Sequence, residues 1–176
     1  RSLAGGCVPG APPARDRPPW LPRRGAGEAA AGAVRECLAS GRGLLDGRVL
    51  SGGEPLLQPD AADFLAGVKA MGFAVKLDTN GTNPRMLGQL LEAGLLSYVA
   101  MDIKNAPGEY QKTCGGADVA EQVAESVKIL RNSGIPCEFR TTVVKPLHSV
   151  DSMKALGQWL SGAEAYFIQN FRDTGD

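Results

Sequence analysis

Cysteine is scarce and scattered: four residues in 176, Cys7, Cys37, Cys114 and Cys137, separated by 30, 77 and 23 positions. No two lie close enough for a C-x-x-C clamp, so spacing alone supports no metal site. A chain of this length also needs no disulfide framework, and each cysteine reads as an ordinary buried or surface thiol. Histidine is scarcer still. His148 stands alone two residues after a proline, cannot build a metal centre by itself, and reads as a loop residue. Neither sign of charge is in excess, with 19 Lys and Arg against 19 Asp and Glu. That balance removes the electrostatic basis for binding nucleic acid or an anionic membrane. No apolar run approaches the roughly 20 residues of a membrane helix, and no signal-peptide pattern is visible. Cytoplasm is the default expectation.

The hydrophobic content, 43%, leaves room for one domain with a proper core. Composition breaks near residue 27. Residues 1–27 hold six of the twelve prolines, five arginines and five glycines, with no Ile, Lys, Phe or Tyr. Such a stretch cannot bury enough apolar surface to offset its ordering entropy, so it reads as a low-complexity, disordered arm. A second reading is that it is GC-rich coding read out of frame. The expected organisation is therefore a low-complexity segment over 1–27 and one α/β domain over 28–176, the chain being a fragment with a garbled opening and a truncated end.

From residue 28 the pattern alternates regularly. Ala33, Val34, Cys37 and Leu38 predict a helix over 28–41, and a strand follows over 48–51. Asp60 can cap a helix whose Phe64, Leu65, Val68 and Met71 share a face, with Gly72 to end it. A strand over 73–78 precedes Asn83 as a cap and Pro84 at the first helical position, and that helix stops at Gly94. A strand over 97–103 leads into a loop through Gly115-Gly116. Asp118 then caps a helix that Gly134 closes, and a strand over 137–144, a helix over 150–160 and a strand over 164–169 complete the series. Strand–helix alternation of this kind predicts parallel strands with right-handed crossovers, as in a barrel or part of one.

In parallel α/β folds, ligands bind at the carboxyl ends of the strands. The first strand here runs into Ser51-Gly52-Gly53-Glu54-Pro55, the second into Asp78-Thr79-Asn80-Gly81 and the third into Asp102-Ile103-Lys104. The fourth carries Arg140, Thr141 and Thr142, and the fifth ends in Gln169-Asn170. Glu54 to Asp78 and Asp78 to Asp102 are both 24 residues, one strand–helix unit each. Taken singly, each has a bland reading: a turn that carries an acid, an N-cap, a surface ion pair of little worth. Jointly they suggest a pocket for a zwitterion. The glycines let a ligand approach the backbone, and Glu54 offers acceptors to an ammonium. Lys104 and Arg140 suit a carboxylate, and Asp78 or Asn80 suits hydroxyls or a bound cation.

The ordered series matches more than chemistry. Gly43-Leu44-Leu45-Asp46-Gly47 runs into Ser51-Gly52-Gly53-Glu54-Pro55-Leu56-Leu57-Gln58-Pro59; Lys76-Leu77-Asp78-Thr79-Asn80-Gly81 and Tyr98-Val99-Ala100-Met101-Asp102-Ile103-Lys104 follow. Phe139-Arg140-Thr141-Thr142-Val143-Val144 and Phe167-Ile168-Gln169-Asn170-Phe171 close it. Over about residues 28–176 the chain resembles radical S-adenosylmethionine (radical SAM) enzymes. More narrowly it resembles the activating enzymes of the anaerobic ribonucleoside-triphosphate reductase type, relatives of pyruvate formate-lyase activase. The resemblance implies a partial parallel (β/α)6 TIM-like barrel whose rim holds S-adenosylmethionine against a [4Fe-4S] cluster. Gly52, Gly53 and Glu54, in the loop that Ser51 opens, would meet the methionine amino group. Asp78, Thr79 and Asn80 would sit by the ribose and carboxylate, with Asp102, Lys104 and Arg140 completing the polar wall. The implied activity is a 5′-deoxyadenosyl radical that takes hydrogen from a glycine of a partner glycyl radical enzyme. An electron donor such as flavodoxin or ferredoxin would supply the reducing electron.

One departure is severe. The family's C-x-x-x-C-x-x-C loop should precede Ser51 by a few tens of residues, and only Cys7 stands there, with Gly10, Ala11 and Ala14 where partners would fall. Three thiolates hold such a cluster, so the chain as written is expected to have no catalytic or metal-ligating residues of its own and to be inactive. The alternative is a cluster-free protein that binds S-adenosylmethionine or a partner without catalysis. A weaker one is an unrelated barrel lyase using Asp78 and Asp102 on a divalent metal.

Overall fold

The computed structural model describes residues 45–172. The low-complexity segment over 1–27, the helix over 28–41, Cys7 and Cys37 lie outside the described residues. The described chain runs β1 (Gly47–Leu50), α1 (Ala61–Ala70), β2 (Ala74–Thr79), α2 (Pro84–Glu92), β3 (Tyr98–Asp102), a short α3 (Tyr110–Thr113), α4 (Ala120–Asn132), β4 (Cys137–Val143), α5 (Val150–Trp159) and β5 (Tyr166–Asn170). All four strand pairings are parallel, and the strands lie in chain order in one open sheet. The order never reverses, which is the winding of a barrel rather than of a doubly wound sheet. The α/β class and the partial-barrel architecture expected from the sequence are the ones observed.

Strand alternation sorts the side chains. On one face Val75, Leu77, Val99, Met101, Ile103 and Phe139 are buried with Leu65, Val68, Leu87, Leu90, Val123, Val127 and Leu130 of the helices in a single cluster. Right-handed crossovers put every helix on that face. The other face carries Lys76 and Asp78 of β2, Tyr98, Ala100 and Asp102 of β3, and Glu138 and Arg140 of β4. The parallel register fixes this, setting Lys76 beside Tyr98, Asp78 beside Ala100, Ala100 beside Glu138 and Asp102 beside Arg140. The inner face of the curled sheet is therefore polar and charged.

Helix ends follow the sequence signals only in part. Asn83 accepts from the Met86 N–H, with Pro84 at the first position. Gly72, Gly94 and Gly134 all have positive φ just past a helix end, at 89°, 66° and 72°, where a Cβ is costly. Asp60 stands at the start of α1 but makes no capping hydrogen bond. Val119, not Asp118, is the N-cap of α4 and has no capping side chain. The loop expected between β3 and α4 contains α3 and a 3-10 turn at Pro107–Glu109. These exceptions share a cause: α1 and α4 are fixed by buried Leu65, Val68, Val123, Val127 and Leu130, so packing sets their ends without a cap.

Candidate functional site: the inner face and rim of the sheet

Glu54 does not project into solvent. It is 8% exposed, and its Oε1 accepts from the Thr79 hydroxyl at 2.7 Å and the Leu56 N–H at 3.1 Å. Its Oε2 accepts from the Asn80 N–H at 2.7 Å. Three donors fit an ionised carboxylate, yet burial outweighs them and raises its pKa above the ordinary value. The loop after β1 is thus fastened to the end of β2. Ser51, Gly52 and Gly53 remain exposed in that loop, with Gly52 at φ 132°.

Thr79 and Asn80 carry the other half of the clamp. The Thr79 hydroxyl also accepts from the Gly81 N–H at 3.1 Å. Asn80 Oδ1 accepts from the Thr82 N–H at 2.9 Å and the Thr82 hydroxyl at 2.7 Å, a side-chain turn that closes the loop. Both residues are buried, so their role in the described geometry is to shape the turn beside Asp78.

Arg140 is the hub of the inner face. Its Nη2 and Nε lie 2.9 Å and 3.0 Å from Asp102 Oδ1, while Nη1 is 3.6 Å from Asp78 and 3.9 Å from Glu138. Burial disfavours the charged guanidinium, but Asp102 and then Asp78 outweigh it and hold its pKa above the usual arginine value. Lys104 is 3.3 Å from Asp102 Oδ2. The two cations that the sequence assigned to a ligand carboxylate are thus both engaged by Asp102. Asp78 is held differently: Lys76 stands 3.6 Å from its Oδ1 and Arg140 3.6 Å from its Oδ2, and the buried Oδ1 receives no hydrogen bond.

Three residues of this network do not stand out as site residues in the sequence: Lys76, Tyr98 and Glu138. The Tyr98 hydroxyl donates to Glu138 at 2.8 Å, which, with burial, pushes its pKa up to about 12. Lys76 is 3.5 Å from Glu138 and its ammonium lies 5.4 Å from the Tyr98 ring centroid. The signal is present as polar residues two apart on β2 (Lys76, Asp78) and β4 (Glu138, Arg140, Thr142). Behind the rim, His148 ties two loops together. Its Nε2 faces the Lys104 carbonyl at 2.8 Å, and so carries the hydrogen and donates, while Nδ1 accepts from the Val144 N–H at 3.1 Å. It is the loop residue expected.

The sequence signature of the Radical SAM superfamily matches residues 27–156. The chain belongs to that superfamily. It is 32% identical over 131 residues to a protein of Methanocaldococcus jannaschii named as a glycyl-radical enzyme activating enzyme, covering 72% of this chain and 55% of that one. It is 30% identical over 155 residues to an AdoMet-dependent heme synthase of Methanosarcina barkeri, covering 81% of this chain and 40% of that one. The chain therefore spans about half the length of the curated relatives it matches. A domain of a pyruvate-formate lyase-activating enzyme from Bacteroides vulgatus superposes with a TM-score of 0.59 at 17% identity, over 73% of this chain and 81% of that one. The AdoMet-bound structure of anSMEcpe does so with a TM-score of 0.62 at 14% identity, over 80% and 42%. At such identities the structural likeness establishes the fold.

Radical SAM proteins use S-adenosylmethionine and an iron–sulfur cluster, and the two fit the described residues unequally. For S-adenosylmethionine, a sulfonium attached to a zwitterionic amino acid, the donor set is suitable. Lys76, Lys104 and Arg140 face Asp78, Asp102 and Glu138, so the wall offers both signs of charge to a ligand that carries both. Asp78 Oδ1 is buried with no hydrogen bond and faces only the Lys76 ammonium at 3.6 Å, so this carboxylate is held by charge rather than by donors. For the cluster, no group of three or more His, Cys, Asp or Glu able to hold a metal occurs among the described residues. The same observation leaves Asp78 and Asp102 without the converging third ligand that a divalent-metal lyase would need. Among the described residues no helix is long and apolar enough to cross a membrane.

Proposed function

We propose that this chain derives from a radical SAM activating enzyme whose partner is a glycyl radical enzyme of the anaerobic ribonucleoside-triphosphate reductase type. The observation that carries the reading is the clamp between Glu54 and the Thr79-Asn80 turn. It fastens the Gly52-Gly53 loop to the Asp78 strand end, at the edge where parallel α/β folds bind ligands, in a chain of this superfamily. The 32% identity to the archaeal glycyl-radical enzyme activating enzyme supports the activating-enzyme part of this reading, and the reductase-type partner rests on the sequence resemblance.

In a radical SAM enzyme, S-adenosylmethionine held against a reduced [4Fe-4S] cluster would supply a 5′-deoxyadenosyl radical able to take hydrogen from a partner glycine. The residues of this chain bind and orient. The exposed Gly52 and Gly53 offer backbone to the methionine end, and Glu54 holds that loop in place. Asp78, whose Oδ1 is buried against Lys76, accepts from a ligand hydroxyl or ammonium through its other oxygen. Asp102, Lys104 and Arg140 form the opposite polar wall, with Arg140 bridging Asp102 and Asp78. An electron donor such as flavodoxin or ferredoxin and a cytoplasmic setting complete the reading.

The four cysteines at 7, 37, 114 and 137 form no C-x-x-x-C-x-x-C run, which favours a second reading for the polypeptide on its own: it binds S-adenosylmethionine without holding the cluster. Anaerobic reconstitution with iron and sulfide, followed by titration with S-adenosylmethionine, separates the two. Ligand binding without iron uptake supports the second reading. Several irons per chain and 5′-deoxyadenosine on reduction support the first for this polypeptide. Neither binding nor iron uptake would reject both.

A further inference from the structure

Asp78 is the one inner-face acid that two cations hold at arm's length. Lys76 and Arg140 both sit at 3.6 Å, beyond hydrogen-bond range, and Oδ1 is left without a donor. We infer that Lys76, Glu138 and Tyr98 form a positioning trio beneath Asp78: Lys76 holds the buried Oδ1 by charge and so sets the carboxylate with its other oxygen toward a ligand. This rests on the S-adenosylmethionine reading above and adds to it residues that act on the binding acid, Lys76 directly and Glu138 and Tyr98 through Lys76.

The interactions run one way. Tyr98 donates to Glu138 Oε2 at 2.8 Å and fixes that carboxylate. Glu138 Oε1 anchors the Lys76 ammonium at 3.5 Å, which in turn faces Asp78 Oδ1. Glu138 is also 3.9 Å from Arg140, which is already shared with Asp102 and Asp78. Lys76 therefore does two things: it faces Asp78, and it neutralises Glu138 so that Arg140 is not drawn inward from the rim. Without Lys76, Glu138 becomes an uncompensated carboxylate, 15% exposed at its side chain, and competes for the guanidinium. The charged groups around Asp78 are then Arg140 and Glu138 from β4, Asp102 and Lys104 from β3 and its loop, and Glu54 from the loop after β1.

Calorimetric titration of the full-length, cluster-free chain with S-adenosylmethionine tests this, with thermal melts to confirm folding. Lys76→Met should bind roughly tenfold more weakly, the usual scale for a group that orients a binding residue. Lys76→Arg should restore affinity. Adding Glu138→Gln to Lys76→Met should recover most of the loss, because the uncompensated carboxylate is gone. Recovery of that kind is not expected of a side chain that merely fills space. Wild-type affinity in Lys76→Met, or a loss that neither Lys76→Arg nor Glu138→Gln repairs, would overturn the inference alone. No binding by the wild type would overturn the S-adenosylmethionine reading and the inference with it. Should Lys76→Met fail to fold, Tyr98→Phe carries the test: severalfold weaker binding is expected, and unchanged affinity is contrary.

Discussion

Glu54 accepts a hydrogen bond from the Thr79 hydroxyl at 2.7 Å, so an acid that follows two glycines in one loop is spent on the next strand rather than on solvent. The loop after β1 and the turn after β2 are consequently one unit. Exposed Gly52-Gly53 is presented by a rigid frame, and Asp78 sits one residue from the point of attachment. Preorganisation of this kind is what a binding rim needs, because an ordered loop costs less entropy on binding than a mobile one.

Breaking the clamp should be felt in stability first. Glu54→Ala leaves the Thr79 hydroxyl and the Asn80 N–H buried without their acceptor, and bonds to a charged group of this kind contribute about 2–3 kcal/mol. Urea denaturation should show a lowered midpoint with Glu54→Ala. Glu54→Gln should fall between wild type and Glu54→Ala, since its amide oxygen can still accept on one side while its NH2 is set against a backbone N–H on the other.

The same residue predicts a pH signature. Burial raises the Glu54 pKa above the ordinary carboxyl value of 4.5, so the folded state binds this proton more tightly than the unfolded chain does. Its contribution to stability is therefore fully present below pH 4.5 and is lost as pH rises through the folded value. Thermal melts across that acidic window should show the wild type losing stability relative to Glu54→Gln as pH increases. A difference that stays flat, or that grows in favour of the wild type, would contradict the assignment.

Gly81 should not tolerate a side chain. Its φ is 74°, and a Cβ there would run into the buried Met101 methyl. Gly81→Ala should cost about 2 kcal/mol or more from strain and overpacking together, seen as a lower melting temperature. Gly88→Ala in α2 is the control, because a Cβ there meets nothing within 4 Å.

The alternation of elements was legible because it rests on local rules. Phe73 to Asp78 alternates as a strand should, Asn83-Pro84 is a helix start, and Gly72, Gly94 and Gly134 are helix stops. Capping chemistry misleads at Asp60 and Asp118 because tertiary burial sets those helix ends. At the site, residues at the strand ends were legible from the parallel-sheet rule alone. Their directions were not: Glu54 and Thr79 turn inward to meet each other, a pairing of residues 25 positions apart that only the fold brings about. Lys76, Tyr98 and Glu138 lie lower on the strands, away from the rim that the rule highlights. Their period-two spacing with Asp78, Asp102 and Arg140 is the pattern that reveals them.

The most direct measurement is calorimetric titration of the chain with S-adenosylmethionine, comparing wild type with Asp78→Asn. Asp78→Asn keeps the size of the side chain but removes its charge. The predicted result is measurable binding by the wild type and at least about tenfold weaker binding by the variant, the scale of one charge-assisted hydrogen bond. Equal affinity in the two would show that the ligand does not use this rim, and the account of the site would be wrong.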